Sequence, residues 1–270
     1  MKPYQELSYL LQCHHLDEKF ERFEALYAQK ERLDWHSQER AERFSAPSYA
    51  SFCTIVDHRR IKRPKNLTRL EDQIRLLHAV AHIEFSAIDL ALDAAYRFRN
   101  LPRAFYDDWL EVAKEEIAHF QMLQTLLADL GARYGDEPVH TGLFDASMRT
   151  LTLLERMAVI PRHMEAGGLD ANEQMRAKVE KVADTQPVMA AFLGALDVIL
   201  RDEIDHVRKG DRWFRYACKQ AGRSPACFQA VITQVLGRPA PPRQLNVEAR
   251  LQAGFACEEL AEIAGREVCR

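Results

Sequence analysis

Apolar side chains recur at intervals of three and four residues along most of this chain, the spacing that places them on one face of an α-helix. The alternation expected of a half-buried strand occurs only in the short stretch 51–57, which stands alone. We therefore predict an all-α fold. The four longest apolar stripes predict helices over about 70–99, 103–130, 145–184 and 187–220.

The third of these stripes is the least regular. Gly167 and Gly168 predict an interruption, and Asp170 to Glu173 has the form of a capping box that restarts the helix. A proline-rich segment, 238–243, breaks the tail. These patterns predict three parts. They are an N-terminal helical extension and connector (1–69), a four-helix bundle (70–217) and a C-terminal helical extension packed on the bundle (218–270).

Three glutamates lie on apolar stripes where a core position favours leucine. They are Glu84, Glu116 and Glu203, each with apolar neighbours three, four or seven residues away. A single buried carboxylate costs several kcal/mol or stays protonated. Three such residues on neighbouring helices therefore indicate a shared cation.

Two of these glutamates are followed three residues later by a histidine, His119 after Glu116 and His206 after Glu203. Residues at this spacing share one helix face, so an oxygen and an imidazole nitrogen can reach the same metal ion. The surrounding sequences, EEIAH and DEIDH, repeat as well. A third pair, Glu137 and His140, encloses Pro138, and we interpret it as a loop without ligand function.

Spacing from the predicted turns indicates the fourth glutamate. Glu84 and Glu116 each lie 16 residues from Asn100, and should therefore face each other. The same reasoning, applied to the second helix pair, favours Glu165 over Glu155, although the two glycines weaken it. One glutamate from each of two helices and a Glu-x-x-His from each of the other two is the pattern of di-iron and di-manganese bundles. The predicted ligands are Glu84, Glu116, His119, Glu165, Glu203 and His206.

The donor set also bears on which metal is bound. Four carboxylates balance the charge of two divalent ions, and mixed oxygen and imidazole ligands suit iron or manganese. We expect two divalent ions, iron ahead of manganese, with zinc left open. His78 and His82 share a face of the first long helix, and they are either hydrogen-bonded core residues, contacts of the ligands, or another metal pair.

Composition narrows the class of protein. The chain has 270 residues with a formal net charge of −3, from 37 basic and 40 acidic residues, which counts against nucleic acid and anionic membranes as partners. No apolar run approaches a membrane span, and no secretory signal is evident, so we expect a cytoplasmic protein. The six cysteines form no CxxC pair and are expected to be reduced thiols. The basic run 58–65 is interpreted as a solvated connector, with phosphate or RNA binding as the alternative.

Several segments resemble the ferritin-like superfamily, and within it the bacterial family called domain of unknown function 455. The basic connector resembles that family less closely. The resemblance implies a ferritin-like four-helix bundle and a metal pair, without implying a reaction. The segments are 78–98, 115–123, 161–170, 202–214 and 246–260.

The function predicted first is a dinuclear metal carboxylate protein, an oxidoreductase acting with O₂ or peroxide on an unknown substrate. By analogy, Glu116 and Glu203 would bridge the ions, while the catalytic residues stay unassigned. The alternatives are a non-catalytic metal-binding or helical interaction protein, and an RNA-modifying hydroxylase, which the net charge counts against. The expected partners are a small-molecule substrate or a redox partner, with a homodimer as one open arrangement.

Overall fold

The computed structural model describes residues 2–238 and 244–269, and the regular structure of these residues is helical. The chain divides into two compact units, Met1–Phe144 and Asp145–Arg270. The first unit contains α1 (Pro3–Gln12), α2 (Leu16–Tyr27), α3 (Leu70–Arg97) and α4 (Arg103–Asp129), and α5 (Gly142–Arg149) crosses the boundary. The second contains α6 (Leu153–Val159), α7 (Ala166–Ala183), α8 (Pro187–Gln220), α9 (Phe228–Leu236), α10 (Val247–Gln252) and α11 (Cys257–Ala264).

The all-α prediction is confirmed, and three of the four long helices occur where their stripes predicted them. The strand-like stretch 51–57 contributes only an isolated bridge between Ile55 and Val139. Most of the predicted proline break, residues 239–243, lies outside the described residues. The division into 1–69, 70–217 and 218–270 stays a prediction.

In the first unit, α3 and α4 pack along their lengths through an apolar seam. Phe85 and Ile88 of α3 and Phe120 of α4 are fully buried, so burial of these stripes supplies most of the drive for helix pairing. The N-terminal segment is tied to α3 by an ion pair in which Lys19 Nζ lies 2.5 Å from Asp89 and donates to Leu10 O at 2.9 Å. Because Lys19 has no exposed surface, this pair is internal.

In the second unit, the third predicted helix is interrupted before α6, because α5 ends at Arg149 and α6 begins at Leu153. Helix α6 starts at a capping box in which Glu155 N donates to Thr152 Oγ1 at 3.2 Å and Thr152 N donates to Glu155 Oε2 at 3.0 Å. Thr152 and Glu155 therefore satisfy the amides that a helix start leaves open. The T-x-x-E spacing is a recognisable signal that the apolar periodicity alone did not reveal.

The predicted interruption at Gly167 and Gly168 is wrong. A π-helix, Ile160–Glu165, follows α6 and leads directly into α7, which runs through both glycines. Glycine weakens a helix interior by about 1 kcal/mol. Here the cost is offset by Arg250, whose guanidinium donates to Ala166 O at 2.9 Å and to Asp170 at 2.7 and 2.8 Å.

The capping box predicted at Asp170 is wrong for the same reason. Asp170 lies inside α7, and its buried carboxylate accepts hydrogen bonds from Arg250 and from Asn246 N rather than from amides at the start of its own helix. An aspartate in a helix interior is disfavoured by local competition for the backbone, but the guanidinium of a distant helix satisfies it. The sequence pattern could not reveal a partner 80 residues away.

One correction concerns the cysteines. Cys257 and Cys269 form a disulfide, so the prediction of six reduced thiols is wrong for this pair, whose Cα atoms lie 5.8 Å apart. Cys13, Cys53, Cys218 and Cys227 are free, and the expected cytoplasmic location stays a prediction.

No helix among the described residues is both long enough and apolar enough to cross a membrane.

Candidate metal centre

The first unit contains a cluster of three buried ligand-type side chains. Glu84 comes from α3, and Glu116 and His119 come from α4. His119 Nδ1 lies 3.2 Å from Glu84 Oε2 and 3.5 Å from Glu116 Oε2. One ligand atom from each residue lies within 4.8 Å of the others, a spacing at which the three side chains could hold a metal ion.

Packing of α3 against α4 fixes this cluster. The three side chains are 3% exposed or less, and Phe85 and Phe120, each next to a ligand-type residue, have their rings 5.1 Å apart. The packed helices α3 and α4 therefore shield the polar group from water. A cluster in such surroundings interacts strongly with any charge placed in it, because screening by water is weak.

Electrostatics in the cluster favour a bound cation. Burial, together with the negative charge of Glu116, raises the pKa of Glu84 to about 7. Burial alone opposes the charged imidazole, but the two carboxylates outweigh it and raise the pKa of His119. Two acids in one buried site cannot both ionise at low cost unless a positive charge lies between them.

The second unit holds the other Glu-x-x-His pair on α8. Glu203 Oε1 lies 3.8 Å from His206 Nδ1, and His206 has no exposed surface. Glu203 Oε2 is buried and accepts no hydrogen bond among the described residues. A buried carboxylate oxygen without a donor is costly, so this pair, too, has the character of a ligand site.

The structure separates the two candidates for the fourth glutamate. Glu155 is half-buried, and its carboxylate accepts hydrogen bonds from Leu151 N at 2.7 Å and Thr152 N at 3.0 Å, so it serves the helix cap. Glu165 is the last residue of the π-helix, and its Oε2 is shielded from solvent. The structure thus accounts for Glu155 in another way, and Glu165 stays the predicted ligand.

The π-helix that carries Glu165 packs tightly on α8. A Cβ placed on Gly210 would lie 2.1 Å from Pro161 Cβ, so only glycine allows this approach. Pro161 has no amide hydrogen and cannot take a regular place inside an α-helix. The π turn accommodates it, and such turns often occur at functional sites. The stripe gave no sign of this turn, although a proline within a helical pattern is a signal for one.

The remaining histidine pair has a structural role. His82 contacts Tyr134 Oη at 2.9 Å and His140 O at 2.8 Å, and His78 Nε2 accepts from Gly135 N at 2.8 Å. Both are therefore hydrogen-bonded residues of the core. The third Glu-x-x-His pair, Glu137 and His140, lies in a loop, as predicted.

The basic run 58–65 consists of exposed and half-exposed residues. Arg59 pairs with Asp57 at 2.8 Å. Whether this run binds phosphate or RNA stays a prediction.

Arg162 of the π-helix lies in the core rather than at the surface. Its guanidinium is fully buried beside the rings of Phe214, Phe228 and Phe255, and it pairs with Asp211 at 3.0 Å and Glu259 at 2.9 Å. Arg162 thus links the π-helix to α8 and α11. An arginine so enclosed acts through packing as well as charge.

Across the described residues, the chain is an all-α protein with a buried glutamate–histidine cluster that could hold a metal ion. It belongs to the family described as "Protein of unknown function (DUF455)", whose family model matches residues 12–261. It is also similar to a protein of Haemophilus influenzae (strain ATCC 51907 / DSM 11121 / KW20 / Rd), described as an uncharacterized protein, with 41% identity over 196 residues. That match covers 68% of this chain and 65% of the relative, so the chain spans about two thirds of the relative's length. No solved structure matches the chain.

Proposed function

We propose that the chain is a dinuclear metal carboxylate protein with a ferritin-like four-helix arrangement. The first unit would contribute Glu84, Glu116 and His119, and the second would contribute Glu165, Glu203 and His206. Each unit then supplies one glutamate and one Glu-x-x-His pair, the donor pattern of di-iron and di-manganese bundles.

The observation that carries the proposal is the buried cluster of the first unit. The charges that act on Glu84 come from Glu116 and His119, so two carboxylates share one imidazole. Without a metal ion, this cluster would be costly to the fold, because each carboxylate that is transferred from water into the core costs several kcal/mol. A divalent ion resolves that imbalance, and metal binding is expected to stabilise the fold.

The residues fit the proposed metals by donor chemistry. Carboxylate and imidazole donors suit iron and manganese and are also compatible with zinc. A bound pair of redox-active ions would supply electrons for the reduction of O₂ or peroxide. The protein's own contribution is to fix the donors on α3, α4 and α8 and to exclude water by burying them. We propose a small-molecule substrate or a redox partner for this chemistry.

Metal content of matched variants tests the proposal. Glu116→Gln and Glu203→Gln remove a ligand charge, while Glu115→Gln and Asp202→Asn make the same charge change one residue away. We expect about two equivalents of Fe or Mn by elemental analysis of the purified protein, retained in both controls and lost or halved in both ligand variants. Equal content in all five proteins would overturn the proposal.

A second pair of variants decides between Glu165 and Glu155 as the fourth glutamate. Glu165→Gln should lower the metal content, whereas Glu155→Gln should leave it unchanged because glutamine still serves as a capping residue. Loss of metal in the second variant alone would return Glu155 to the ligand set.

Turnover is tested separately from binding. Fe(II)-loaded protein exposed to O₂ should consume it faster than the Glu116→Gln variant does. Bound metal with no O₂ consumption would favour the non-catalytic metal-binding alternative. The RNA-hydroxylase alternative requires RNA binding that weakens as salt rises, and a filter-binding titration without it would remove that alternative.

A further inference from the structure

Two free cysteines of the second unit lie together at the end of α8. Cys218 belongs to its last turn, and Cys227 ends a short 3₁₀ turn, Pro225–Cys227, that leads into α9. Their sulfur atoms are 3.9 Å apart. Cys218 is 1% exposed, while Cys227 is partly accessible.

Hydrogen bonds of the intervening backbone hold the two sulfurs close. Arg223 N donates to Cys218 O at 2.9 Å and closes the helix end, where Gly222 adopts a left-handed conformation with φ of 62°. Ser224 Oγ then caps the 3₁₀ turn by accepting from Ala226 N at 3.3 Å. The chain from 218 to 227 is therefore a bonded turn rather than a loose connection, and it returns Cys227 to Cys218.

We propose that Cys218 and Cys227 form a redox modification site, at which a hydroperoxide converts the two thiols to an intramolecular disulfide. A disulfide needs the sulfurs at about 2.05 Å, so side-chain rotation must bring them together by roughly 2 Å. The site is independent of the metal ligands and of the Cys257–Cys269 disulfide.

The chemistry proceeds in two balanced steps. With hydrogen peroxide as the hydroperoxide, the thiol of Cys227, the more accessible sulfur, loses its proton and attacks one peroxide oxygen. The O–O bond breaks, the sulfur becomes a sulfenic acid, and the other oxygen leaves with that proton as water. The thiol of Cys218 then loses its proton and attacks that sulfur, which forms the S–S bond and releases a second water. Two electrons and two protons leave the thiols, and one peroxide is reduced.

The residues around Cys218 and Cys227 determine what the disulfide would connect and how fast it would form. Phe228, next to Cys227, packs with its ring 4.7 Å from the buried guanidinium of Arg162, so the disulfide would tie this part of the core to the end of α8. Burial and the nearby Cys227 raise the pKa of Cys218 to about 12, against the opposing charges of Arg162 and Arg223. The second step should therefore be slow near neutral pH and faster in alkali.

Peptide mapping of the full chain tests the site. Protein that keeps its Cys257–Cys269 disulfide is treated with hydrogen peroxide, thiols are then blocked with N-ethylmaleimide in denaturant, and cross-linked peptides are identified by mass. We expect one new peptide pair joining Cys218 to Cys227, lighter by two hydrogen atoms, while Cys13 and Cys53 are recovered as blocked thiols.

The variants Cys227→Ser and Cys53→Ser complete the test. Cys227→Ser should abolish the cross-link and leave the buried Cys218 as a thiol, whereas Cys53→Ser should oxidise like the unmodified chain. Recovery of both thiols after excess peroxide would overturn the proposal. So would separate oxidation of each to a sulfinic acid, or a cross-link that forms only in denaturant. The unmodified chain carries the main measurement, so the result does not depend on how well a variant folds.

Discussion

Burial shifts the pKa of single residues in this protein away from their values in water. Glu84 is the clearest example, because burial and Glu116 raise its pKa to about 7. His78 is shifted in the opposite sense, since burial lowers its pKa to about 4. Its Nε2 accepts a hydrogen bond from Gly135 N at 2.8 Å, which a protonated imidazole could not do. Burial therefore favours the neutral form at both positions.

His78 should make stability depend on pH. Its pKa is about 4 in the folded chain and 6.5 as the reference value, so the unfolded chain binds more protons between these limits. The stabilisation is complete above pH 6.5 and falls as the pH drops towards 4, by about 3 kcal/mol in total. The free energy of unfolding, measured with urea across this range, should depend less steeply on pH for His78→Gln. Glutamine keeps a hydrogen-bond acceptor but binds no proton.

The control for His78 is His36→Gln, at an exposed position of the same unit. This variant should reproduce the pH dependence of the unmodified chain. If His78→Gln also reproduced it, His78 would not be the residue responsible. Other groups titrate in the same range, so the comparison rests on the difference between the two variants.

At the scale of elements, the contact between the π-helix and α8 decides where Glu165 lies relative to the other residues of its unit. Gly210→Ala would place a methyl carbon 2.1 Å from Pro161 Cβ, and a rigid ring cannot rotate away. We expect a loss of at least ~2 kcal/mol in the free energy of unfolding. Thermal or urea denaturation measures it.

Gly194→Ala is the matched control on the same helix. A Cβ at Gly194 meets nothing within 4 Å, so alanine should stabilise α8 by about 0.5–1 kcal/mol through helix propensity. Opposite signs for the two substitutions are expected. Equal effects would mean that the close contact with Pro161 does not exist in solution.

The third stripe shows which parts of an element can be predicted from sequence. Periodicity predicted the helices that carry Glu84, Glu116 and Glu203, because each lies inside a long and regular apolar stripe. Between Asp145 and Asp184 it predicted helix but not where the helix breaks, because a capping threonine, a proline and a distant arginine decide the backbone there. The residues next to Asp170 predicted a helix cap, because a local sequence pattern carries no information about the distant partner Arg250.

The proposed ligands also differ in how well the sequence could predict them. His119 and His206 follow from spacing along one helix, which geometry fixes. The prediction of Glu165 assumed a regular rise of 1.5 Å per residue. The structure instead has an α-helix, a π-helix and another α-helix in this region. Distances along such a segment are not regular, so the residue could be proposed but its position could not be derived.

At the scale of the whole molecule, the repeat in the sequence matches the division of the structure. EEIAH, with Glu116 and His119, lies in Met1–Phe144, and DEIDH, with Glu203 and His206, lies in Asp145–Arg270. Each unit holds an incomplete set of donors for a metal pair. The proposed function therefore requires that the two units act together when metal binds.

Hydrogen exchange can test this requirement directly. Loading with Mn(II), which stays in one oxidation state under the assay conditions, should slow amide exchange in α3 and α4 of the first unit and in α8 of the second. A ligand that binds only the folded state at 100 times its Kd stabilises by about 2.7 kcal/mol, which corresponds to roughly hundredfold slower exchange from globally opened states.

The variant Glu84→Gln makes this measurement decisive. It changes a residue of the first unit only, but if the six residues hold one metal pair, metal-dependent protection of α8 should disappear together with that of α3. Glu155→Gln, a substitution in the second unit outside the proposed set, should leave both responses intact. If α8 remained protected by Mn(II) in Glu84→Gln, each unit would bind its own ion, and the shared dinuclear centre would be wrong.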